Sequence, residues 1–216
     1  MKPTTKGDPL LATNWPASRV EHCLQQKQEK DLIAFLRARY TERFFEPIEC
    51  LKHAPGNHQG YGMAMMSLCS LLVESIQCCR YGLPSTNAGE LNALGTHNPP
   101  KEYDVPTGER KTGPDAFRDF FTNSASLFPG VDGEEFYKNI RNGLLHQAQT
   151  KGGWTIRIDG QQLYDPNDKV INRNLFARQL EQAFEMYLND LSASSWADDV
   201  WQKAARRIWW LIRLSQ

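Results

Sequence analysis

Between Gln59 and Arg80 the apolar side chains Met63, Met66, Leu68, Leu71, Leu72 and Ile76 leave a helix almost no polar face. A helix that is apolar nearly all round must be enclosed by other elements. The rest of the chain therefore has to wrap it, and the expected fold is an all-α helical bundle. Gly82 and Pro84 stop this central helix. No apolar run reaches the length of a bilayer crossing, so no membrane attachment is expected. The start, MKPTTKGDPLLATNWP, has no apolar signal-peptide core. The five cysteines, Cys23, Cys50, Cys69, Cys78 and Cys79, are odd in number and show no CxxC spacing. They read as free, mostly buried thiols in a reducing compartment, and cytoplasmic residence is expected.

The 216 residues suit one domain. Residues 1–17, with three prolines, read as a loose arm, and 18–216 as a single helical domain. Ser18 is a candidate cap for a first helix reaching about Tyr40, followed by a second apolar group in which Pro47 opens or kinks a helix. Residues 82–114, rich in Gly, Pro, Asn and Thr, read as a polar loop insert. Phe117, Phe120, Phe121 and Leu127 mark the next helix, which Pro129-Gly130 ends. Another follows from Val131-Asp132-Gly133 to about Lys151, its acidic residues at the positive helix end. Trp154 to Ile158 alternates apolar and polar; with Asp159-Gly160 as the turn and Gln161 to Tyr164 returning, it reads as a small β-hairpin. Asn172 or Asn174 caps a further helix, and a last one runs from Ser195 to about Leu214.

Twenty-five basic and twenty-five acidic residues cancel. This excludes a protein that coats nucleic acid by bulk charge and leaves room for a local basic cleft. One segment carries chemistry: Arg141-Asn142-Gly143-Leu144-Leu145-His146. Five helical positions separate Arg141 from His146 by roughly 140° and about 7.5 Å of rise. One helix presents them side by side only loosely. Two copies meeting about a two-fold axis bring both pairs into one cleft. A neutral imidazole can take the proton of a ribose 2′-hydroxyl, and an imidazolium can return one to the leaving 5′-oxygen. A guanidinium can grip the phosphate and stabilise its added charge, and Asn142 can orient phosphate or histidine. No metal or other cofactor is needed, and DNA lacks the required hydroxyl. In a plain helical interaction protein, by contrast, His146 completes the helix C-terminus and Arg141 pairs with Glu134, Glu135 or a neighbouring helix.

The stretch Tyr137-Lys138-Asn139-Ile140-Arg141-Asn142-Gly143-Leu144-Leu145-His146 resembles the HEPN superfamily, whose pattern is Arg, four to six residues, then His, often with a polar residue after Arg. Lys151-Gly152-Gly153-Trp154-Thr155-Ile156-Arg157 is similar to bacterial members with a short hairpin after the motif helix. The resemblance covers about residues 115–190. It implies a compact helical bundle and a metal-independent endoribonuclease acting as a homodimer, often in toxin, antiviral defence or abortive-infection systems. RNA is the implied partner, with an antitoxin or defence protein as a further one. Arg141 and His146 are the implied catalytic pair and Asn142 the auxiliary residue. Members silenced by a nucleotidyltransferase carry Tyr two positions after His, where this chain has Ala148. The alternative function is a non-catalytic HEPN-like module that binds nucleotide or RNA, or dimerises in a larger assembly.

Lys151, Arg157, Arg206 and Arg207 are candidate RNA contacts. Arg206, Arg207 and Arg213 interleave with Trp209 and Trp210, a pattern that suits single-stranded RNA or, alternatively, an aromatic core face. Lys101, Arg110 and Lys111 are further basic residues in the insert. Cys50, His53 and His58 supply only three zinc-type ligands, so no metal site is expected.

Overall fold

The computed structural model describes residues 7–55, 59–87 and 111–216, and these are mostly helical. The central helix α4, Gln59–Tyr81, ends at Gly82 in a left-handed conformation (φ +70°). Packed against it are α3 (Glu46–His53), α5 (Gly113–Asn123), α8 (Arg173–Ala193) and α9 (Asp199–Arg213). By length and composition, Gly60–Tyr81 is apolar enough to cross a membrane, contrary to the sequence expectation, but 61% of that window is buried inside the protein. It is the enclosed axis of the bundle.

The N-terminal segment is not a loose arm where it is described. Strands β1 (Leu10–Ala12) and β2 (Trp15–Pro16) form an antiparallel hairpin around Thr13 and Asn14, the latter with φ +62°. Leu11, Ala12 and Trp15 are buried, and Trp15 packs on Phe35 at 5.7 Å. The Leu11 carbonyl accepts from Arg39 Nη1 (2.6 Å) and Arg43 Nη2 (3.2 Å). Helix α1, Ala17–Gln25, starts before Ser18. Ser18 is not its cap: the Asp8 carboxylate accepts from the Ser18 amide at 3.1 Å and from its hydroxyl. The expected long first helix is two. Lys27, at φ +52°, separates α1 from α2 (Glu29–Tyr40), because Gln25 to Gln28 bury nothing that would hold a helix together. A π turn, Thr41–Phe45, joins α2 to α3, where Pro47 sits in the first turn and has no amide to contribute.

Beneath the C-terminal half lies a cluster of phenylalanines. Phe136 stacks on Phe117 (5.5 Å) and Phe176 (5.2 Å), with Phe120, Phe121 and Phe128 closing around them. All six rings are at most 2% exposed.

The expected β-hairpin is replaced by a three-stranded sheet of order β3-β5-β4. Strand β3 (Thr155–Arg157) pairs in parallel with β5 (Val170–Asn172), with Ile156 opposite Ile171. Strand β4 (Tyr164–Asp165) pairs antiparallel with β5. Asn172 explains why the return is not from Gln161 to Tyr164. Its Nδ2 donates to the carbonyls of Gly160 (3.0 Å) and Ile158 (3.4 Å), and its amide to Leu163 (2.9 Å), so β5 lies between the two other strands. The tight turn is the one after β4, where Asp165 Oδ1 accepts from the amides of Asn167 and Asp168 and Lys169 adopts φ +53°. Asn172 also caps α8, its Oδ1 accepting from the amides of Asn174 and Leu175, both at 3.1 Å. The last helix starts four residues later than expected, because the Asp198 carboxylate holds Ser195 in a turn ahead of α9.

Candidate functional site

The segment carrying Arg141 and His146 runs through α6 (Gly133–Glu135), a π segment (Phe136–Arg141) and α7 (Asn142–Gln147) without a break. Asp132 starts it, its Oδ1 accepting from the Glu135 amide at 2.9 Å. It stops at Ala148, in the left-handed region at φ +55°, short of the expected Lys151. The amides of Ala148 and Gln149 close the end onto the carbonyls of Leu144 (3.1 Å) and Gly143 (3.4 Å). Gly143 has a steric role here. A Cβ on it would lie 2.5 Å from the Gln149 carbonyl oxygen, so the chain can double back only over a glycine.

Arg141 faces the bundle. Its Nε donates to Glu74 Oε1 at 2.6 Å, with the two side chains 18% and 15% exposed. Its Nη1 donates to Asn142 Oδ1 at 3.0 Å, and the guanidinium carbon sits 5.3 Å from the Tyr137 ring centroid. Its Nη2 donates no hydrogen bond among the described residues. The partner is thus on a neighbouring helix. Glu134 instead accepts from Arg118 (3.3 Å), and Glu135 from Trp154 Nε1 (3.3 Å) and the Tyr164 hydroxyl (3.4 Å). Glu74 Oε2 accepts from Thr86 Oγ1 at 3.0 Å, so the carboxylate is held from both sides.

His146 is exposed in the last turn of the helix, with no hydrogen bond or ion pair among the described residues. Arg141 and Asn142 are brought together; Arg141 and His146 share no contact within one chain. The helix offers the imidazole to solvent and the guanidinium, half-buried, to α4.

The four candidate RNA contacts separate. Lys151 is half-buried and its amide donates to the Asn139 carbonyl at 2.8 Å. Arg157 is exposed on β3 and pairs with Asp159 at 3.2 Å. Arg207 is not an RNA contact: it is 9% exposed and donates to the carbonyls of Leu83 and Pro84, tying α9 to the end of α4. Arg206 is half-buried beside Gly82. Gly62, beside the sheet that bears Arg157, and Gly82 lie at opposite ends of α4, roughly 30 Å apart at 1.5 Å per residue. Lys111 pairs with Asp119 at 3.1 Å, while Lys101, Arg110 and His58 lie outside the described residues. His53 pairs with Glu49 at 2.7 Å, and Cys50 is exposed whereas the other four cysteines are buried.

Glu74 was the residue that sequence reasoning passed over. Its signal was available: it is the only Asp, Glu, Lys or Arg between Gln59 and Cys79, and a carboxylate in an apolar helix needs a partner. No family model, curated protein or solved structure matches this chain.

Proposed function

We propose that the chain is a HEPN-like, metal-independent endoribonuclease in which Arg141 and His146, doubled in a homodimer, cut RNA through its 2′-hydroxyl. The observation that supports this reading most is the contrast between the two side chains. Arg141 is fixed by Glu74, Asn142 and Tyr137, yet keeps an Nη2 edge without a protein partner among the described residues. His146, five residues on, is exposed and makes no hydrogen bond or ion pair among the described residues.

In the reaction a neutral His146 takes the 2′-hydroxyl proton at a ring nitrogen. The 2′-oxygen attacks the adjacent phosphorus, and the bond to the 5′-oxygen breaks. The 5′-oxygen takes a proton from an imidazolium, supplied by the second copy's histidine. Arg141 donates to the non-bridging oxygens as charge builds on them. The products are a 2′,3′-cyclic phosphate and a 5′-hydroxyl. Such an activity fits toxin or antiviral systems with an inhibitory partner protein.

One feature favours the second reading, a non-catalytic HEPN-like module that binds RNA or nucleotide or dimerises. The Glu74 carboxylate offsets the Arg141 charge and competes with phosphate for it. The two readings part in one assay. Purified protein should degrade single-stranded RNA equally with and without EDTA, and leave 2′-O-methyl RNA and DNA intact. Cleavage of 2′-O-methyl RNA, or none of any RNA, contradicts the ribonuclease reading.

A further inference from the structure

A cavity of about 600 Å³ opens between α4, β3 and the first turn of α8. Its walls are mixed: Met63 and Ile156 are apolar, Thr150 and Thr155 polar. Arg173, the first residue of α8, lines it and is 8% exposed. Its guanidinium has no hydrogen bond or ion pair among the described residues, and its Nε is buried without an acceptor. Burial alone pulls its pKa down; no neighbouring carboxylate holds it up. Asp159, the acidic residue on the cavity, is exposed and paired with Arg157. Gly62 faces the guanidinium: a Cβ there would lie 3.2 Å from Arg173 Nη1 and 3.3 Å from Ile156 Cγ2. The glycine keeps that wall open.

An unpaired cation buried in a folded protein is costly, and neutral packing would relieve the cost. An anion arriving in the cavity from outside would offset that cost. A guanidinium edge recognises two oxygens of one phosphate. The volume and the apolar wall beyond it suit a nucleoside-sized body. We propose that this cavity binds the phosphate group of a nucleotide, free or within an RNA strand, with Arg173 as its anchor.

The anchor Arg173 is not one of the cleavage pair, and its binding chemistry does not depend on theirs. Glu74, which holds Arg141, and Gly62 lie roughly 18 Å apart along α4 at 1.5 Å per residue.

The test is titration calorimetry of the full chain with AMP, inorganic phosphate, adenosine and a 2′-O-methyl hexanucleotide without terminal phosphate. Wild type should bind AMP more tightly than inorganic phosphate and adenosine weakly or not at all. Arg173→Met should weaken AMP at least tenfold, with Arg173→Lys in between. Ile156→Trp, which narrows the cavity and keeps the guanidinium, should weaken AMP more than inorganic phosphate. A hexanucleotide that AMP displaces marks the strand as the source; one that does not bind marks the free nucleotide. Arg173→Met should melt no lower than wild type, because it removes a buried unpaired charge, and millimolar phosphate should raise the melting temperature of wild type alone. Wild type that binds neither AMP nor phosphate at millimolar concentration overturns the proposal, as does Arg173→Met that binds AMP like wild type. Equal affinity for AMP and phosphate overturns the nucleotide assignment. Calorimetry reads AMP binding without any cleavage, so loss of cleavage and loss of this site are told apart.

Discussion

Replacing His146 by Ala is expected to lower RNA cleavage by roughly 10²–10⁴-fold, the range that a lost general acid–base group costs. The folded state should not notice. The side chain is exposed, makes no hydrogen bond among the described residues, and lies beyond the buried Gly143 and Leu144. Surface substitutions of this kind change stability by about 0.5 kcal/mol or less. The pair of measurements is a cleavage rate and a thermal melt on the same preparation. Wild-type cleavage rates from His146→Ala remove the imidazole from the mechanism. A large fall in melting temperature assigns it to the fold instead.

The largest effect on stability is expected at Phe136, in the π segment of the motif helix. Its ring is fully buried, stacked on Phe176 at an interplanar angle of 11° and on Phe117 at 20°. Phe136→Ala deletes the ring that joins the motif helix to α5 and α8. It should destabilise the protein by about 3–5 kcal/mol, the usual cost of a large cavity in an aromatic core. Urea unfolding followed by tryptophan fluorescence measures it as a shift in midpoint at unchanged slope. A loss below about 1 kcal/mol would mean that the core collapses around the gap, and that these rings do not anchor the motif helix.

Elements whose burial is periodic were legible from the sequence. Helix α4 shows as an apolar run ended by Gly82, α5 as a phenylalanine stripe, and α8 as a helix with Asn172 ahead of it. What escaped depends on contacts distant in sequence. The N-terminal hairpin is held by Arg39 and Arg43, and by Glu42 accepting from the Thr13 amide; nothing within residues 1–17 announces those partners. The β-sheet looked like a hairpin because Asp159-Gly160 is a strong local turn, whereas Asn172, twelve residues past Gly160, decides the pairing. The same division holds at the site. Arg141, Asn142 and His146 could be picked out from chemistry and spacing, but that Arg141 turns inward to Glu74 follows from how the π segment and α7 pack on α4. Arg173 gave no signal at all, standing unremarked between Asn172 and Asn174. Only the structure shows that it lines a cavity without a counterion among the described residues. Arg207 misled in the other direction, since a charged residue beside tryptophans reads as surface and is instead tied to the carbonyls at the end of α4.

The most direct measurement of the cleavage chemistry is the identity of the new RNA ends, read by mass spectrometry after digestion in EDTA. Attack by the sugar's own hydroxyl leaves a 2′,3′-cyclic phosphate on one fragment and a 5′-hydroxyl on the other. A 3′-hydroxyl facing a 5′-phosphate would mean that water, not the ribose, was the nucleophile, and would contradict the roles given to Arg141 and His146.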